Sequence, residues 1–216
     1  MDKKKLDRYE GLFACLEDMM AEQRQDITFL EVGTYNGKRA ADLCTYWREQ
    51  TEGKFTYIGF DLFEDMTPEM NKAELSKSTL PPAKAAAEAT LKRAGANVLA
   101  LIKGNTRETI PAFVEVLHGS VIPDLIFVDG GHSLETIDSD WAALSNLVGP
   151  KTYVVFDDYY ENKDDYGCKQ LITRLAADPA FKVELLTPVD RPISTGLHIR
   201  MALVKLKKAA SLKKVA

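Results

Sequence analysis

The chain has 216 residues, 45% hydrophobic and 28% charged, with a formal net charge of −4. That length suits one buried domain, or one with an insertion, and the composition is that of an ordinary globular protein. The acidic balance offers no general nucleic-acid footprint, and no apolar run approaches the ~20 residues a membrane helix needs.

The charged opening MDKKKLDRYE lacks the apolar core of a signal peptide. Within the N-terminal segment 1–26, Leu6, Tyr9, Phe13, Leu16 and Met20 stand at helical spacing. Such an apolar face covers the chain's own sheet or meets a second copy in a homo-oligomer, and the first is the simpler expectation. ITFLEV (27–32) then reads as a strand, followed by a helix with Ala40, Leu43, Cys44 and Trp47 on one face. FTYIGF (55–60) and VLALIK (98–103) are the second and third strands. Between them, 62–82 is a long polar connection, read as a lid insertion over a site. After the third strand, Asn105 and Glu108 have capping-box spacing, and Ile110, Phe113, Val114 and Leu117 line a helix. DLIFVD (124–129) is a fourth strand, and Leu134, Ile137, Trp141, Leu144 and Val148 mark the next helix. TYVVFD (152–157), a short helix around Leu171–Leu175, FKVELL (181–186) and HIRMALVKL (198–206) complete the pattern. Residues 207–216 form a basic tail, read as solvated. Cys15, Cys44 and Cys168 form no CxxC pair and read as small core residues in a reducing cytoplasm.

Strands alternating with helices predict a Rossmann-like, doubly wound α/β sheet, mostly parallel, with helices on both faces. The turn-rich stretch between the last two strands predicts a hairpin at the edge, with one strand antiparallel. Neither a repeat nor a second domain interrupts residues 1–216.

Ligands of such sheets sit beyond the carboxyl ends of the strands. Those ends carry Glu31, Asp61, Gly104, Asp129 and the pair Asp157–Asp158. So much negative charge at one rim calls for a cation or for donors on a ligand. Gly33 permits a tight turn after the first strand, and Gly37 a close approach of the next helix to the sheet. Glu31 opposes a pyrophosphate and the GxGxxG fingerprint is missing, which argues against a nicotinamide oxidoreductase. Asp61 is placed to accept both hydroxyls of a ribose. Asp129 and Asp157–Asp158 end adjacent strands ~4.8 Å apart, so three oxygen ligands suit a hard cation, Mg²⁺ first and Mn²⁺ or Ca²⁺ next.

EVGTYNG, GFD, GNT and VDGGH, in that order, resemble a class I S-adenosylmethionine-dependent methyltransferase, nearest the metal-dependent small-molecule O-methyltransferases of catechol and macrocin type. The resemblance runs from Phe29 to about Tyr160. It implies a seven-stranded sheet with a reversed last strand. It also implies cofactor contacts at Glu31, Gly33, Tyr35, Gly37, Asp61, Gly104, Asn105, Thr106 and Asp129, and a metal on Asp129, Asp157 and Asp158. His132 stands three residues after Asp129, where the catechol-type enzymes carry a lysine base, and histidine suits the same task. A Mg²⁺ ion nearby is expected to keep its ring neutral. The expected activity is Mg²⁺-assisted methyl transfer to a hydroxyl of a small sugar, phenol or other natural-product intermediate. The alternatives are a metal-independent N- or O-methyltransferase and a cofactor-binding protein without catalysis.

Overall fold

The computed structural model describes residues 9–74, 79–117, 119–186 and 198–207. Seven strands form one sheet in the order β3-β2-β1-β4-β5-β7-β6. They are β1 (Ile27–Val32), β2 (Phe55–Asp61), β3 (Asn97–Lys103), β4 (Leu125–Val128), β5 (Tyr153–Tyr160), β6 (Phe181–Leu185) and β7 (Ile199–Leu206). The first five are parallel, and β7 runs antiparallel to both β5 and β6. The expected hairpin therefore closes this side of the sheet, with the reversed strand second from the edge and β6 outermost. The segment that joins its strands, 187–197, lies outside the described residues.

The central strands are mostly apolar because both faces are covered. One face carries α1 (Glu10–Ala21), α2 (Lys38–Gln50) and α4 (Lys84–Arg93). Leu12, Leu16, Leu43, Trp47 and Leu91 pack there against Phe29, Tyr57 and Phe127. The other face carries α5 (Thr106–Leu117), α6 (Leu134–Leu144) and α7 (Lys169–Ala177), where Ile110, Leu144 and Ile172 meet Leu30, Ile58 and Val154. All three cysteines are buried and free. No described helix is long and apolar enough to cross a membrane.

Two elements depart from the sequence expectation. The Ala-rich helix α4 was hidden by its weak apolar pattern, with only Ala87 and Leu91 buried. The connection 62–82 is partly regular: Phe63, fully buried, anchors a short turn, and a helix α3 (Pro68–Ala73) follows, capped by the Thr67 side chain accepting from the Met70 N–H. Of the two tails, 1–8 and 208–216 lie outside the described residues.

Asp140 of α6 is a buried acid whose two oxygens both lack a hydrogen-bond partner. Burial pushes its carboxyl up to about 7; Thr106 and Arg107 favour the charge only weakly, and Glu74 opposes it. Because the folded chain holds this proton above the pH at which an unfolded aspartate loses it, stability falls as pH rises from about 4 to about 7. We expect Asp140→Asn to leave unfolding at pH 4 nearly unchanged and to stabilise the protein at pH 8 by a few kcal/mol, on the order of the shift. Urea titrations at both pH values measure this; equal effects at the two would show that Asp140 ionises normally.

Candidate active site

The sheet order reverses between β1 and β4, and the strand ends open there into one cavity. The turn after β1 sets its floor. Gly33 has φ +90°, and a Cβ on it would lie 1.9 Å from the Asp129 carbonyl oxygen. The Gly33 N–H donates to Phe60 O (2.9 Å) and the Asp129 N–H to Val32 O (2.9 Å), so the ends of β1, β2 and β4 are tied together. Asp61 accepts from the N–H of Tyr35 (2.6 Å) at Oδ2 and of Phe63 (2.8 Å) at Oδ1. Burial raises its pKa, partly offset by these donors. Gly37 also has positive φ, but the close approach it permits is to Ala87 and Leu91 of α4 rather than to the sheet.

Arg39, in the first turn of α2, is the cation this rim requires. Its guanidinium donates to Glu31 Oε1 (3.1 Å), Asp129 Oδ2 (2.5 Å) and Tyr9 Oη (2.9 Å). It also lies over the rings of Tyr9 and Phe127, at 4.3 and 4.6 Å from their centroids. Glu31 is fully buried and additionally accepts from Tyr57 Oη (2.5 Å). Burial pushes its carboxyl up to about 7, against the pull of Arg39 and Tyr57. Arg39, its side chain only 16% exposed, stays firmly protonated because Asp129 and Glu31 outweigh the cost of burial. The expectation that a bound cation or ligand must relieve the strand-end acids is thus corrected: the chain does much of this itself. The signal was readable, since Lys38 and Arg39 open a helix where cations are disfavoured.

The second cluster lies at the end of β5. By register, Val128 pairs with Phe156, which sets Asp157 beside Asp129. The pairing of β5 with β7 is irregular between Phe156 and Tyr159, and Asp158 has φ +58°. The irregularity re-aims the side chain of Asp158. Its Oδ2 pairs with His132 Nε2 (2.8 Å) and its Oδ1 accepts from Tyr160 Oη (2.9 Å). Among the described residues, Asp129, His132 and Asp158 bring ligand atoms within 4.8 Å of one another, so histidine stands where Asp157 was expected. Asp157 Oδ1 instead accepts the N–H of Asp158 (2.9 Å). Burial opposes the charge of His132, but Asp158 first, then Asp129 and Asp157, push its pKa up to about 9. Its Nδ1 is buried without a hydrogen-bond partner.

The cavity measures about 770 Å³, within the range of small-molecule sites. Of the residues singled out in the sequence, Gly33, Tyr35, Asp61, Asn105, Thr106, Asp129, His132 and Asp158 line it; Glu31, Gly37, Gly104 and Asp157 do not. Residues that sequence reasoning passed over also line it, among them Tyr9, Arg39, Glu74 and Arg107.

A family model described as a methyltransferase domain matches residues 30–159. The chain belongs to this family. The matched stretch spans the four motifs and every strand-end residue discussed above. An uncharacterised protein of Acanthamoeba polyphaga mimivirus is 23% identical over 156 residues, which is 72% of this chain but only 62% of the viral protein. Among solved structures, the O-methyltransferase TomG of Streptomyces achromogenes, in complex with SAM, is 18% identical with a TM-score of 0.54, covering 89% of this chain and 78% of that one. Cofactor-bound Rv0187 from MTB is 17% identical with a TM-score of 0.57, covering 95% and 81%. These likenesses bear out the α/β methyltransferase sheet expected from the motifs.

Removing the guanidinium strands two acids. Arg39→Met is expected to cost about 3–5 kcal/mol, as for other broken buried pairs, and adding Glu31→Gln should recover part of it. Urea unfolding of the two variants decides; a midpoint unmoved by Arg39→Met would mean the acids are compensated elsewhere.

Proposed function

We propose that this methyltransferase domain moves the methyl group of S-adenosylmethionine to a hydroxyl of a small molecule, with His132 as the base. The observation that carries the reading is the Asp158–His132 pair at the wall of the cavity that also contains the Gly33 turn and Asp61. The residues fit the cofactor. Each Asp61 oxygen accepts one backbone N–H and keeps a lone pair for a ribose hydroxyl. The Gly33 turn lets a ligand approach backbone closely, and Asp129 offers a carboxylate to the amino-acid end. Glu31 contributes by holding Arg39 and Tyr57.

The cofactor supplies a methyl group already activated on a positively charged sulfur. What the chain must add is orientation and a proton acceptor. His132 Nε2 is held by Asp158 and Nδ1 is the buried, unengaged nitrogen, so a turn of the ring brings Nδ1 to the acceptor. With a pKa of about 9 in the free site the ring is neutral and basic only at alkaline pH, and turnover is expected to rise with pH toward 9. His132 would take the proton that the acceptor hydroxyl gives up on receiving the methyl group. Asp158, itself steadied by Tyr160, orients the ring and balances its charge. Met66, Met70, Tyr166 and Ile199 give the remaining wall an apolar and aromatic character suited to a small hydroxylated organic acceptor.

A second reading rests on the grouping of Asp129, His132 and Asp158. These residues would hold a divalent cation, and the mixed nitrogen and oxygen donors suit Mn²⁺ as well as Mg²⁺. When bound, it lowers the pKa of the acceptor hydroxyl. It would compete with Arg39 for Asp129 and with His132 for Asp158.

For the His132 base, we expect His132→Gln to lower turnover about 10²–10⁴-fold while S-adenosylhomocysteine binds within about twofold of wild type, by calorimetry. Full turnover in this variant would dismiss the base. Dialysis against EDTA separates the two readings: retained turnover favours the histidine alone, and loss restored by Mg²⁺ or Mn²⁺ favours the cation.

A further inference from the structure

Glu74, just past α3, is the acid from the 62–82 connection that the cavity takes in. Its Oε2 accepts the N–H of Ser133 (3.0 Å) and its Oε1 the hydroxyl of Thr136 (2.8 Å), while Arg107 lies 3.9 Å away. Gly131 makes room for it, since a Cβ there would stand 2.5 Å from Oε2. Burial opposes its charge, but these donors and Arg107 outweigh it and hold the pKa below the usual range.

The following step rests on the S-adenosylmethionine reading. With the ribose at Asp61 and the sulfur near His132 and Asp158, the base must fill the rest of the cavity. Its polar wall there is Asn105, Thr106, Arg107, Thr136 and Glu74. Asn105 Oδ1 is engaged with the Arg107 N–H, and the Arg107 guanidinium with Glu135 and Thr136. Each Glu74 oxygen has one protein donor and one further lone pair. An ionised carboxylate only accepts, so whatever faces it must donate.

We propose that Glu74 is a specificity residue of the cofactor site, accepting a hydrogen bond from the exocyclic amine of the adenine and excluding a 6-oxo purine. An oxo group there would set lone pair against lone pair, the kind of mismatch by which buried polar sites reject analogues. The contact also fastens the 62–74 stretch to the cofactor, because the carboxylate that reads the base comes from that stretch.

Calorimetric titration of the full chain with S-adenosylhomocysteine and with S-inosylhomocysteine, its 6-oxo analogue, tests this. Wild type should prefer the adenine compound at least about tenfold, and Glu74→Gln, whose amide can donate to an oxo group, should bring the ratio to within about threefold of unity. The ratio is taken within each variant, so a loss of stability cancels. Equal binding of the two compounds by wild type, or an unchanged ratio in Glu74→Gln, overturns the role of Glu74 and leaves the cofactor reading standing. Wild type that binds neither compound overturns the cofactor reading and this inference with it.

Discussion

The site depends on one buried guanidinium. Arg39 joins Glu31 on β1 to Asp129 after β4 and lies over the rings of Tyr9 and Phe127. Without it, two strands at the centre of the sheet would end in carboxylates, and Glu31 would have no other cation. Taking such charges from water is costly, and the return depends on geometry: here several hydrogen bonds and two aromatic faces converge on one planar cation. The arrangement fixes the direction of the Asp129 side chain before any ligand arrives. That kind of preorganisation is what a transfer reaction needs, because an acceptor must meet the methyl group in line.

The neighbouring pair is set by a different device. A regular β5 would turn Asp157 and Asp158 to opposite faces. The irregular pairing with β7 and the left-handed conformation of Asp158 break that alternation, so the carboxylate reaches His132. A strained residue persists only where its surroundings determine it, and Asp158 is fixed by His132, Tyr160 and the chain around Gly167.

Much of this was readable from the residues. Continuous apolar runs gave the central strands, and the acids at the ends of β2 and β4 marked the site because parallel strands deliver their ends to one rim. What escaped has specific causes. Asp157 and Asp158 read together as ligands beside Asp129, and the irregular pairing that separates their roles has no signature in FDDYY. Glu31 reads as a ligand contact, and the structure adds its pairing with Arg39, eight residues on in the next helix. Glu74 sits in a polar connection with no periodicity, and only the fold brings it against Gly131 and Ser133. Helix α4 was missed because alanine carries helical propensity but little apolar pattern.

The phenol stacked on Arg39 belongs to Tyr9, the residue that precedes α1. The first helix is therefore more than packing for the sheet: it carries part of the cavity wall on its leading edge. Shortening the chain to begin at Glu10 would leave the helix its core contacts through Leu12, Leu16 and Met19 while opening the guanidinium to water on one side. The damage would then show in the electrostatics of the rim before it showed in the melting of the fold, and the same sensitivity extends to any modification placed at the front of α1.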